Sequence, residues 1–205
     1  VDFQAISTDT VETGVLAPVP GQTVTVTTES GDGISIGGSL AIGNRFYFGG
    51  AFQSSIIDVA AVIRNPLGTT SATDTFDLVH DHIGFGYKVE AAENLDFVFE
   101  VSSDSTEYDF GSFAGENFDV KDKGMGAGVG FRWNPSPRFE LFANAHYSEV
   151  GKVTLSTRQF DTDTSTRVGM MWYFFEDLGM GVDYLAAQVD TVSISMRFGF
   201  GDLRL

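Results

Sequence analysis

Between residues 123 and 133 every second side chain is apolar, at Met125, Ala127, Val129, Phe131 and Trp133, and the intervening positions 124–130 are glycines, followed by Arg132. Successive side chains of a strand point to opposite faces, so this period-two run has one greasy face and one nearly bare face. The pattern returns at Ile34, Ile36, Leu40 and Ile42, set against Ser35, Gly37, Ser39 and Ala41. It returns again at Val192, Ile194, Met196, Phe198 and Phe200, set against Ser193, Ser195, Arg197, Gly199 and Gly201. No stretch of similar length has helical spacing, and the chain is predicted to be all-β.

About ten strands are expected, near 1–9, 32–43, 45–58, 76–89, 95–109, 123–133, 139–153, 164–175, 179–188 and 191–201, with eight as the alternative count. Most have the length a tilted strand needs to cross a bilayer, roughly 9–11 residues. Short connections rich in turn formers, such as Gly43-Asn44, 134–138 and 176–178, alternate with longer polar ones at 10–31, 59–75, 110–122 and 154–163. This is the plan of a closed antiparallel up-and-down barrel with tight turns at one rim and loops at the other. All 205 residues form one domain, and an even strand count puts both termini at the tight-turn rim. The chain begins at Val1 rather than Met, and a processed N-terminus is expected.

Which face meets water decides the class. A soluble barrel keeps its apolar face inside. Here the other face carries Asp96, Glu100, Arg132, Glu140, Arg167, Asp183 and Arg197. Charges of both signs can pair across a narrow lumen, whereas an Arg or Lys turned toward lipid at the midplane costs roughly 2–4 kcal/mol. The greasy face carries Phe46, Phe48, Phe85, Phe97, Phe99, Phe131, Trp172 and Phe174 among others, and so many exposed aromatics would aggregate a soluble protein. Lipid is the better solvent for that face, which makes this a transmembrane β-barrel. Tyr87, Trp133, Phe139, Phe174, Phe198 and Phe200 fall beside the tight turns or near the C-terminus, as an interfacial girdle would. Tyr108, Tyr147 and Tyr184 are expected toward the opposite rim.

With that pattern the chain resembles the small Gram-negative outer-membrane β-barrels, the opacity-type and porin-like proteins. The final strand, Ser193 to Phe200, is similar to the terminal signal read by the barrel assembly machinery, with Ser193, Ser195, Phe198 and Phe200 as the matching positions. Ser195 stands where that signal usually has glycine, and 201–205 run past the usual end. The resemblance implies an integral outer-membrane protein with extracellular loops and periplasmic termini. It implies contact with outer-membrane lipid and lipopolysaccharide, and recognition by the assembly machinery. The family is functionally mixed, so it implies no activity.

The candidate chemistry is sparse. His80-Asp81-His82 puts two imidazoles on one strand face, a spacing suited to a metal or to half of a hydrolytic Asp/His pair. No second Asp-x-His dyad accompanies it, and ordinary polar residues at the lumen rim are the expectation. His146-Tyr147-Ser148 resembles the His-x-Ser of an outer-membrane lipid A deacylase, yet the strand phase turns His146 and Ser148 inward, away from lipid. The glycine run 124–130 alternates as a strand with no helix after it, so it is not a phosphate cradle. No catalytic residue, metal or cofactor is expected. With 28 Asp+Glu against 12 Lys+Arg the net charge is −16, which excludes nucleic acid as a partner. The excess is expected in the loops, at residues including Asp74, Asp104, Glu107, Asp109, Glu116, Asp119 and Asp122, as an anionic outer rim. The expected function is a non-enzymatic barrel with a largely closed, charged lumen, its loops serving a structural, adhesion or partner-binding role. The alternatives are a narrow cation-preferring channel and, from a different class, a lipid or peptide hydrolase.

Overall fold

The structure, a computed structural model, describes residues 2–9, 13–16, 23–113, 116–154, 159–187 and 190–199, with side chains described from residue 30 onward except at 110, 112–118 and 153–159. It is one antiparallel sheet of β1 (Asp2–Asp9), β2 (Thr13–Leu16), β3 (Thr23–Ile42), β4 (Phe46–Asn65), β5 (Gly68–Ala92), β6 (Leu95–Phe113), β7 (Glu116–Ser136), β8 (Phe139–Thr154), β9 (Gln159–Phe175), β10 (Leu178–Ala186) and β11 (Thr191–Phe198). From β2 to β11 each strand pairs with the next in sequence, and nine strands of the sheet curl through 296°. β1 pairs with β11 on one side and with β3 on the other.

The alternation places the two faces as its period requires. Ile34, Ile36, Phe46, Phe48, Ile83, Phe85, Phe97, Phe99, Met170, Trp172, Val182 and Ile194 stand exposed on the outside. Glycines on the inner face are spacers. A β-carbon at Gly84 would come within 2.6 Å of Glu100 Cδ, and one at Gly86 would fall inside the Tyr47 ring. Next to the tight turns, Phe46 stacks on Phe85 at 5.7 Å and meets Tyr87 at 5.1 Å, while Phe139 meets Trp172 edge-on at 6.1 Å. Paired aromatics of this kind suit an interfacial girdle.

Three expectations need correction. Where they are described, the stretches 59–75, 110–122 and 154–163 are largely paired strand: β4 and β5 from Phe46↔Tyr87 to Asn65↔Gly68, β6 and β7 out to Phe113↔Glu116, and β8 and β9 out to Thr154↔Gln159. With water on both sides neither face of such a ribbon needs to be apolar, so no alternation marks it. Within 10–31, residues Thr13–Leu16 form β2 and β3 already begins at Thr23. Tyr108 does not join an outward girdle. Phe97, Phe99 and Val101 point out, which turns the even-numbered β6 residues inward, and Tyr108 is buried inside at 3% exposure. Tyr147 and Tyr184 are exposed on the outer face.

Candidate functional site

The inner face holds three layers. Nearest the tight turns is an ionic bundle centred on Glu140, whose Oε1 accepts from Arg132 at 3.1 Å and from Arg197 at 3.0 Å. Tyr173 links the same group, donating to Glu140 Oε2 at 3.3 Å and accepting from Arg197 at 3.0 Å. Beside it Arg167 grips Asp183 through two bonds, Nε at 2.8 Å and Nη2 at 2.9 Å, with its guanidinium 5.9 Å from the Phe142 ring centre. Two parallel bonds to one carboxylate are the strongest form of such a pair. Asp96 faces Lys88 Nζ at 3.6 Å, and Glu100 meets His82 Nε2 at 2.8 Å.

The middle layer gathers all three histidines. His82 lies between two carboxylates, its Nδ1 2.8 Å from Asp104 Oδ1 and its Nε2 2.8 Å from Glu100 Oε1. His146 Nε2 is 3.0 Å from the other oxygen of Asp104, and the two imidazoles meet edge-on at 5.3 Å. His80 Nδ1 pairs with Thr106 Oγ1 at 3.0 Å. Asp104 is therefore a hub inside the barrel at 0% exposure, not a residue of the acidic rim. β6 runs on past it with unbroken parity. Among the described residues His82, Asp104 and His146 form the one group whose ligand atoms all lie within 4.8 Å of one another.

Above this layer, on the long-ribbon side, Ile57, Phe76, Leu78 and Tyr108 form a buried apolar cluster with Val59, Val120 and Phe160 against it. The Tyr108 ring packs 5.8 Å from Phe76 and 6.0 Å from Phe160. Below it a cavity of about 420 Å³ reaches from Arg45 and Lys88 at the tight-turn end past Glu140 to His80 and His146.

The Ser/His arrangement of an acyl hydrolase is not assembled among the described residues. His146 spends Nε2 on Asp104, and Ser148 Oγ accepts from the Val150 amide at 3.3 Å. A nucleophile–base bond from Ser148 to His146 is not among the contacts of the described residues, and acyl transfer needs one. The long ribbons carry acidic groups instead. Lys121 pairs with Glu107, and the bond Asp109 makes to Asp119 holds the Asp119 carboxyl above its ordinary range. Ser193 and Ser195 are buried on the inner face of β11, Phe198 is its last residue, and Phe200 and Glu116 have side chains outside the described set.

Sequence reasoning missed Asp104, Lys88 and Tyr173 as members of the interior. Parity counted outward from Phe99 and Phe174 would have found Asp104 and Tyr173.

No family model and no curated protein matches the sequence. Among solved structures, the β domain of the Bordetella autotransporter Brka aligns with TM-score 0.53 at 8% identity, covering 97% of this chain and 98% of that one. The translocator domain of autotransporter NalP from Neisseria meningitidis aligns with TM-score 0.51 at 17% identity, covering 97% and 88%. The KdgM porin in complex with disordered oligogalacturonate aligns over 98% and 99% at 8% identity, with TM-score 0.46. In fold, this chain is an all-β antiparallel up-and-down sheet curled as in these two autotransporter domains.

Proposed function

We propose that the protein is a closed ten-stranded barrel, shut at the level of its apolar layer. In this reading it does no catalysis and acts as a structural or partner-binding element through acidic ribbons that project from the cell. Closure is supported by the pairing of β1 with both β11 and β3, which leaves β2 as a short appendage to β3. A closed ring removes the sheet edges that would otherwise recruit other chains. Ten strands return the chain to its starting rim, so both termini are periplasmic and the long ribbons extracellular. Ser193, Ser195, Phe198 and Phe200 serve as the segment read by the assembly machinery. Glu107, Asp109, Asp119 and Asp122 give the outer rim a negative potential, fitted to lipopolysaccharide through shared divalent cations or to a basic protein partner.

The observation that carries the closed reading is the stopper of Ile57, Phe76, Leu78 and Tyr108, which puts buried hydrocarbon where a pore would need water. The second reading, a narrow cation-preferring channel, draws on the cavity of about 420 Å³ beneath it, whose lining includes Arg45, Lys88, Glu100 and Glu140. Recording in planar bilayers separates the two. The parent should give no steady conductance, and the triple variant Phe76→Ala, Leu78→Ala, Tyr108→Ala should open one. A steady current in the parent that prefers cations under a KCl gradient would establish the channel instead.

A further inference from the structure

We propose that His82, Asp104 and His146 bind a single divalent transition-metal ion, with zinc as the best-matched member of that class. β5, β6 and β8 each supply one ligand, so the site cross-braces three strands in the middle of the barrel. Two imidazoles and a carboxylate make a donor set of the kind zinc takes, and such a site leaves a fourth position for a hydroxyl or water.

Three independent features point to an ion rather than to hydrogen bonding alone. Glu100 holds the far nitrogen of His82 at 2.8 Å, which fixes the ring so that Nδ1 faces Asp104. A carboxylate behind a ligating histidine is the usual outer partner of a metal-bound imidazole. Ser102 is buried at 3% exposure, and its Oγ has no hydrogen-bond partner among the described residues. An orphaned hydroxyl in a dry interior costs about 1–3 kcal/mol unless something meets it. Gly126 lies over the same spot: a β-carbon there would collide with Asp104 Oδ2 and Ser102 Oγ and come within 2.7 Å of His146 Nε2. The three polar atoms therefore converge on one glycine-cleared space, with the unsatisfied hydroxyl among them.

Charge gives the same answer. Asp104 and Glu100 bring two negative charges to the layer, and a dication with neutral imidazoles balances them. The ion takes the place of the protons that the imidazoles and Asp104 otherwise share. The cavity that opens toward Arg45 and Lys88 supplies a route from the tight-turn side, while the apolar layer closes the other.

The test uses the full chain, refolded in detergent without a polyhistidine tag and stripped with a chelator. Titrated with cobalt(II), it should develop intense visible bands of a low-coordinate site that saturate at one ion per chain, and zinc should bleach them. His82→Ala and His146→Ala should each abolish the bands, with circular dichroism and heat-shifted gel mobility reporting that the barrel has formed. Glu100→Gln should keep the site and weaken zinc binding about 10–100-fold, the usual cost of losing an outer partner. A folded parent that shows only the pale spectrum of hydrated cobalt overturns the proposal, as do bands that persist unchanged in His146→Ala. The site does not depend on the lumen being shut: a conducting parent would leave it standing, and a parent without cobalt bands would leave the closed barrel standing.

Discussion

Glu140 keeps 4% of its surface exposed and meets two guanidiniums and a phenol. Removing one partner of a buried pair is costly because the other charge is left without compensation. Glu140→Ala takes the shared carboxylate from both Arg132 and Arg197 and should destabilise the barrel by about 3–5 kcal/mol. Arg197→Ala should cost clearly less, because Arg132 remains on the same carboxylate at 3.1 Å. Urea titrations of the two variants in lipid vesicles check the order, and equal midpoints for both and the parent would mean that the bundle is solvated. That these side chains face inward was legible from parity alone. Which carboxylate each arginine meets was not, since Arg197 and Glu140 are 57 residues apart and His146 and Asp104 are 42 apart. Such pairings depend on barrel curvature and stagger, which no local pattern encodes. For the same reason two histidines on one strand looked like rim residues, while the third member of their layer sits on β8.

β5 runs for 25 residues, more than twice what a tilted strand needs to cross lipid, roughly 9–11 residues. Its outward apolar positions stop near Ile83, and the rest pairs with β4 as a ribbon tipped by Pro66 and Leu67. The membrane part was readable because lipid on one side and charge on the other enforce alternation. The ribbon was not, because its polar faces carry no such contrast and its Thr- and Ser-rich stretch 69–75 reads as a loop. The apolar layer was missed likewise, since Phe76, Leu78 and Tyr108 interrupt the polar inner face. A ribbon that only projects should be dispensable. Replacing 61–72 with Asn-Gly joins Ala60 to its partner Thr73 through a favoured hairpin turn. The shortened chain should still refold to a heat-shifted band and stay non-conducting, because Ile57 and Phe76 remain. Failure to refold would show that the ribbon is needed for folding.

In the proposed barrel the aromatic-rich outer face meets lipid and the charged inner face does not. Reversing the faces would turn Arg132, Arg167 and Arg197 toward hydrocarbon, at roughly 2–4 kcal/mol for each at the midplane. The chain has two tryptophans, Trp133 and Trp172, both exposed on the outer face. Each lies close to the tight-turn rim, where Trp133 pairs with Leu141 and Trp172 with Phe139. Their fluorescence in vesicles of lipids brominated at set depths reads the face and the height of the belt together. Both should be quenched strongly, most by bromines high on the acyl chain, while iodide in the aqueous phase reaches neither well. Efficient quenching of both by iodide, with brominated lipid leaving them bright, would contradict the assignment of the two faces.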